Sequence, residues 1–128
     1  MKKTILAVDD AKSILTIIYY FFNEKYEVIK KNNGKEALDW LQQGNIPDII
    51  ITDINMPEMG GQEFLEHLQA SGFYKHIPVI VLSAMDNSTE KIKFLGLGAH
   101  DYVVKPFNPE ELELRISNIL RIAERALA

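Results

Sequence analysis

The chain has 128 residues, and its 14 Lys and Arg against 18 Asp and Glu give a formal net charge of −4, so it lacks the basic footprint that a nucleic-acid backbone needs. Hydrophobic residues make up 47% and charged ones 25%, the usage of a globular protein large enough to bury one proper core. The absence of cysteine excludes disulfides, thiolate metal sites and a Cys nucleophile; no apolar run suits a signal peptide or spans a bilayer, so no membrane contact is expected and the cytoplasm is the expected compartment.

Short apolar runs alternate with longer helical patterns along the chain. A first strand is predicted near Thr4–Val8, and it stops at two adjacent carboxylates, Asp9 and Asp10. A helix follows over Lys12–Asn23, then a strand near Glu27–Lys30 and a helix over Gly34–Gln43. The third strand, near Asp48–Asp53, contains the continuous apolar run Ile49 to Thr52, as a parallel strand covered on both faces should. A helix over Gly61–Ala70 leads to a fourth strand near Pro78–Ser83, and a helix over Ser88–Leu97 to a fifth near Asp101–Val104. The last helix is predicted from Pro109 to about Ala123, with Pro at the first helical position, where its missing N–H costs nothing. Three helices open with an Asn-x-x-Glu start signal: Asn33/Glu36, Asn87/Glu90 and Asn108/Glu111. Strand–helix alternation throughout predicts a single doubly wound α/β domain, a five-stranded parallel sheet with helices on both faces.

Ligands of open α/β sheets bind outside the carboxyl ends of the strands, at the switch point in strand order. Here those ends carry Asp9 and Asp10, Asp53, Ser83 and Lys105. In the flavodoxin-like order 2-1-3-4-5, strands one and three are neighbours, so three carboxylates should share one crevice. Two unit charges ~4 Å apart repel by about 4 kcal/mol at an effective dielectric near 20. Such a cluster calls for a cation, and oxygen-only ligands suit a hard divalent ion, Mg²⁺ above all. Each residue taken singly has an ordinary explanation. Asp10 would cap the first helix, Asp53 and Ser83 would be turn residues, Lys105 a solvated strand-end lysine and Tyr102 a packing residue. Those explanations do not predict their joint placement at the ends of four strands.

The segments "VDD", "ITDINMP", "VLSA" and "DYVVKPF" together resemble the receiver domain of bacterial two-component response regulators, in order and with the right intervals from Lys3 to about Arg121. The resemblance assigns residues 1–122 to a receiver domain and leaves 123–128 as the end of the last helix or the start of a linker. It implies that Asp9 and Asp10 hold Mg²⁺, that Asp53 accepts a phosphoryl group, and that the Asn55 backbone carbonyl completes the metal's protein ligands. Ser83 with its neighbour Ala84, and Lys105, would bind the phosphoryl oxygens, and Tyr102 would change rotamer with the state of Ser83. The Lys105–Pro106 bond is expected to be cis. Asn55 and Met85 would control access of the hydrolytic water. The partners implied are a sensor histidine kinase or phosphotransfer protein.

The stretch "EKIKFLGLGAHDYVVKPFNPEELELRI" is similar to receivers of winged-helix transcription regulators, which pair across a two-fold axis when phosphorylated. Their interface charges fall on Lys91, Asp101, Glu111 and Arg115, with Ile92 and Leu95 as the apolar centre. Glu111 and Arg115 stand four apart on one helix and can also simply pair with each other. His100 replaces an acid common in that subfamily, which removes one bridge. Other classes fit less well. A flavin carrier would meet a phosphate with Gly, Ser and Thr where Asp9 and Asp10 stand. No G-x-G-x-x-G or P-loop is present, and adjacent acids are not the alternating acids of an Asp-nucleophile phosphatase. The remaining alternative is an interaction-only pseudo-receiver, which is not regulated by phosphorylation.

Overall fold

The computed structural model describes residues 2–127. Its elements run β1 (Lys3–Val8), α1 (Lys12–Phe22), β2 (Tyr26–Lys31), α2 (Gly34–Gln42), β3 (Ile49–Asp53), α3 (Gly61–Ala70), β4 (Val79–Ser83), α4 (Ser88–Gly96), β5 (Asp101–Val104) and α5 (Pro109–Leu127). All strands are parallel, in the order β2-β1-β3-β4-β5. The predicted elements are all present, with ends displaced by a residue or so, except that α5 continues four residues beyond Ala123 to Leu127. The exposed pair Lys3–Glu124, at 2.8 Å, joins that extension to the start of β1.

The period of two along each strand sorts the core into two layers. Leu6, Val8, Ile50, Val79 and Val81 turn to one face and are covered by Leu38 and Leu41 of α2, Phe64, Leu65 and Leu68 of α3, and Phe94 of α4. Ile5, Ala7, Ile49, Ile51, Ile80 and Leu82 turn to the other face, under Leu15, Ile18 and Phe22 of α1 and Leu112, Ile116 and Leu120 of α5. β3 and β4 are buried along their whole length, which is why they read as unbroken apolar runs.

The helix starts depart from the local rules in two places. Asn33, Asn87 and Asn108 each accept a backbone N–H, from Glu36 at 2.9 Å, from Glu90 at 3.1 Å, and from Glu110 and Glu111 at 2.9 and 3.2 Å. The return bond of a capping box is not made: Glu36 takes the N–H of Asn32, and the Glu90 side chain points elsewhere. At α1 the N-cap is Ala11, with no side-chain cap, so the ordinary explanation of Asp10 as a helix cap does not hold. The inner carboxylate, Asp9, instead accepts the Ala11 N–H at 2.9 Å and shapes the turn before the helix. Between β3 and α3 the chain folds tightly. Glu58 has φ 66°, and a Cβ on Gly61 would stand 2.4 Å from the carbonyl oxygen of Asp53, so only glycine lets α3 start there.

Candidate functional site

The carboxyl ends of β1, β3, β4 and β5 converge on one edge of the sheet. Asp9 is buried at the end of β1, Asp53 is buried at the end of β3, and Asp10 is exposed at the rim. One carboxylate oxygen from each of the three lies within 4.8 Å of the others. Lys105 follows β5, and its Nζ reaches Asp9 Oδ2 at 2.9 Å and Asp53 Oδ1 at 3.2 Å. The Lys105 backbone N–H donates to the Ser83 carbonyl at 2.7 Å, and its bond to Pro106 is cis. One ammonium thus faces three carboxylates and offsets only part of their charge. A donor set of hard, anionic oxygens at this spacing fits Mg²⁺.

The electrostatics follow from that imbalance. Burial pushes the Asp53 carboxyl above its ordinary value of 3.8, and the charge of Asp9 pushes it further; the Ile54 N–H and Lys105 restrain the rise. Burial alone would lower Lys105, but its hydrogen bond to Asp9 and the charges of Asp9 and Asp53 outweigh that and raise it. Asp53 is therefore a buried carboxylate that gains from any further positive charge brought to the crevice.

Beside the acids lies a second cluster, of hydroxyls. Ser83 is buried, and its Oγ donates to Glu90 Oε1 of α4 at 2.6 Å. Tyr102 of β5 is buried beneath the β4–α4 loop; its one phenol proton goes to the same carboxylate oxygen of Glu90, with the Met85 carbonyl 2.8 Å away as a second acceptor within reach. Burial and then the Glu90 bond push the phenol above its ordinary range. Asn55 and Ala84 are exposed on the loops after β3 and β4, and Met85 is half-exposed next to Ala84. The Asn87/Glu90 start signal marks Glu90 only as a helix-start residue, and nothing local in the sequence points to its contact with Ser83.

The residues expected at a dimer surface stand on three elements: Lys91, Ile92 and Leu95 on α4, Asp101 on β5, and Glu111 and Arg115 on α5. Ile92 is 70% and Leu95 40% exposed. Arg115 is already paired within the chain, to Asp101 at 2.8 Å and Glu111 at 2.9 Å. Lys91 is exposed, and His100 accepts the Val79 N–H through Nδ1 at 3.3 Å. Among the described residues, no helix is long and apolar enough to cross a membrane.

A five-stranded parallel sheet in this order, with acids, a lysine and a hydroxyl at its carboxyl edge, defines a class of α/β domains whose crevice suits a hard cation. Residues 5–117 match the response regulator receiver domain, and the chain belongs to that family, the receivers of two-component systems. It is 38% identical over 127 residues to the alkaline phosphatase synthesis transcriptional regulatory protein PhoP of Bacillus subtilis, covering 98% of this chain and 52% of that protein. It is 40% identical over 119 residues to a protein of Formosa agariphila named as a histidine kinase, covering 93% of this chain and 9% of that one. The chain thus spans about half the length of the first relative and under a tenth of the second. Among solved structures, the chemotaxis response regulator CheY4 of Vibrio cholerae superposes with a TM-score of 0.86 at 34% identity, over 93% of this chain and 99% of that one.

Proposed function

We propose that the domain is a phosphorylation-activated switch in which Asp53 accepts a phosphoryl group from a partner histidine kinase, a phosphotransfer protein or a small phosphodonor. The observation that carries this reading is the position of Asp53: buried at the end of β3, 3.2 Å from Lys105, with two further acids within 4.8 Å. An Asp53 carboxylate oxygen attacks phosphorus, and the bond from phosphorus to the donor's leaving group breaks, the electron pair departing with that group. Lys105 leaves its carboxylate partners to neutralise the phosphoryl oxygens, and Ser83 donates its hydroxyl to one of them, beside the Ala84 backbone. Asp9, Asp10, Asp53 and the Asn55 carbonyl are the residues that would hold Mg²⁺, which when bound supplies charge neutralisation at the transferring group. Water later cleaves the acyl phosphate, with Asn55 and Met85 at its approach. The new charge biases the surface of α4, β5 and α5, where Tyr102 lies, toward a partner or effector. A second copy of the chain fits that surface, through Ile92 and Leu95 and charges on Lys91, Asp101, Glu111 and Arg115.

The test is incubation with acetyl phosphate and Mg²⁺. One phosphoryl group should appear on Asp53, labile to base and hydroxylamine, absent in Asp53→Asn and absent when the metal is chelated. Phosphate mapped to Ser83 or to a histidine overturns the mechanism. A chain that takes up no phosphoryl group, and whose NMR shifts Mg²⁺ leaves unmoved, is a pseudo-receiver that works by interaction alone.

A further inference from the structure

Glu90 has a place in the fold that a helix cap does not account for. It lies in the first turn of α4, and its Oε1 receives two hydroxyls from different strands, Ser83 of β4 and Tyr102 of β5. Among the described residues it forms no ion pair, so these hydroxyls are its partners. A serine hydroxyl has one proton. Two acceptors lie within its reach, the Met85 carbonyl at 3.3 Å and Glu90 at 2.6 Å, and the shorter bond, to a carboxylate, takes it. The Met85 N–H in turn donates to Ser83 Oγ at 3.0 Å, which fixes the hydroxyl's rotation toward α4.

We infer that Glu90 is a positioning residue, a latch that holds the Ser83 proton and ties the start of α4 to β4. The inference rests on the phosphoacceptor reading of Asp53 and deepens it. An anion on Asp53 that takes the Ser83 hydroxyl takes that proton from Glu90. Glu90 then keeps Tyr102 alone, and the first turn of α4 loses its tie to β4. The latch sets how tightly the anion is held, and it carries the event at β4 into α4.

The experiment titrates Mg²⁺ with beryllofluoride, a phosphoryl mimic, into the wild-type chain and into Glu90→Ala, followed by NMR amide shifts. A charge-assisted hydrogen bond removed from the unliganded side of the equilibrium should tighten binding by about tenfold. Removing the negative charge of Glu90 also favours an anion, but that effect does not need Ser83. Ser83→Ala therefore supplies the control: in that background Glu90→Ala should change affinity by less than about twofold, as expected when the coupled partner is gone. The shifts at residues 88–95 that accompany binding should shrink in Glu90→Ala. Glu90→Gln keeps the side chain's size with a weaker acceptor and should fall between wild type and alanine. Equal affinity in Glu90→Ala and wild type, or the same gain with and without Ser83, overturns the latch and leaves the phosphoacceptor reading standing. A wild-type chain that binds no beryllofluoride overturns both.

Discussion

Replacing Asp53 by Asn should stabilise the metal-free fold at neutral pH. Asp53 repels Asp9 and Asp10, each with an oxygen within 4.8 Å, and attracts Lys105 at 3.2 Å. At an effective dielectric near 20 each repulsion costs about 3.5 kcal/mol and the attraction returns about 5 kcal/mol. Asp10 is exposed, so its share is screened, and the Coulomb balance favours the neutral side chain by at most about 2 kcal/mol, to which the desolvation of a buried carboxylate adds. Asparagine also keeps an oxygen for the Ile54 N–H. The melting temperature in EDTA at pH 7 should rise by about 3–6 °C, read by circular dichroism. The pH dependence fixes the sign. Asp53 in the folded chain titrates above 3.8, so the wild type pays for its ionisation only as pH rises through that folded value. The advantage of Asp53→Asn should therefore shrink toward pH 4 and vanish below it. Saturating Mg²⁺ should narrow the gap at pH 7, because it stabilises the chain that retains all three carboxylates. A variant no more stable than wild type in EDTA, or an advantage that grows toward acid, would refute the charge argument.

Three further outcomes follow from the geometry. Gly61→Ala should destabilise by about 2–3 kcal/mol in chemical denaturation, and slow uptake from acetyl phosphate, because the added Cβ drives into the backbone of Asp53 and Ile54. Met85→Glu should speed loss of the phosphoryl group by severalfold in a mass-spectrometric time course, since a half-exposed apolar side chain at the water's approach becomes a polar one; an unchanged decay rate would show that this site does not gate water. Activated with beryllofluoride, the chain should sediment as a dimer at high concentration, and Lys91→Glu with Glu111→Lys should recover dimer that either change alone loses. Exposed pairs contribute under about 1 kcal/mol each, but a two-fold axis repeats every one of them.

The sheet and the acidic crevice were legible because their signals are local and strong. β3 and β4 are continuous apolar runs, and the strand ends follow directly from where those runs stop, which put Asp9, Asp53, Ser83 and Lys105 on one edge. Which of two adjacent acids bonds the turn was not legible. Asp9 is buried and takes the Ala11 N–H, while Asp10 is exposed, an outcome set by how the chain leaves the sheet after Val8. Glu90 was hidden for a different reason. Asn87 three residues earlier satisfies the local capping rule, yet two hydroxyls from β4 and β5, neighbours only in the folded sheet, capture the side chain. Nor does any turn rule pick out Glu58 as the residue with positive φ in a loop that also holds Gly60.

The sheet separates two apolar layers, and the hydroxyl cluster belongs to one of them. Tyr102 and Phe94 pack with α2 and α3, whereas α1 and α5 close over the opposite face. Substitutions in the helices on opposite sides are separated by the sheet, so their effects on stability should add. Changes in the interior beneath α1 should therefore leave the packing of α4 intact, whereas changes beneath α5 alter a helix that belongs to the far layer and yet is tied to β5 through Arg115 and Asp101.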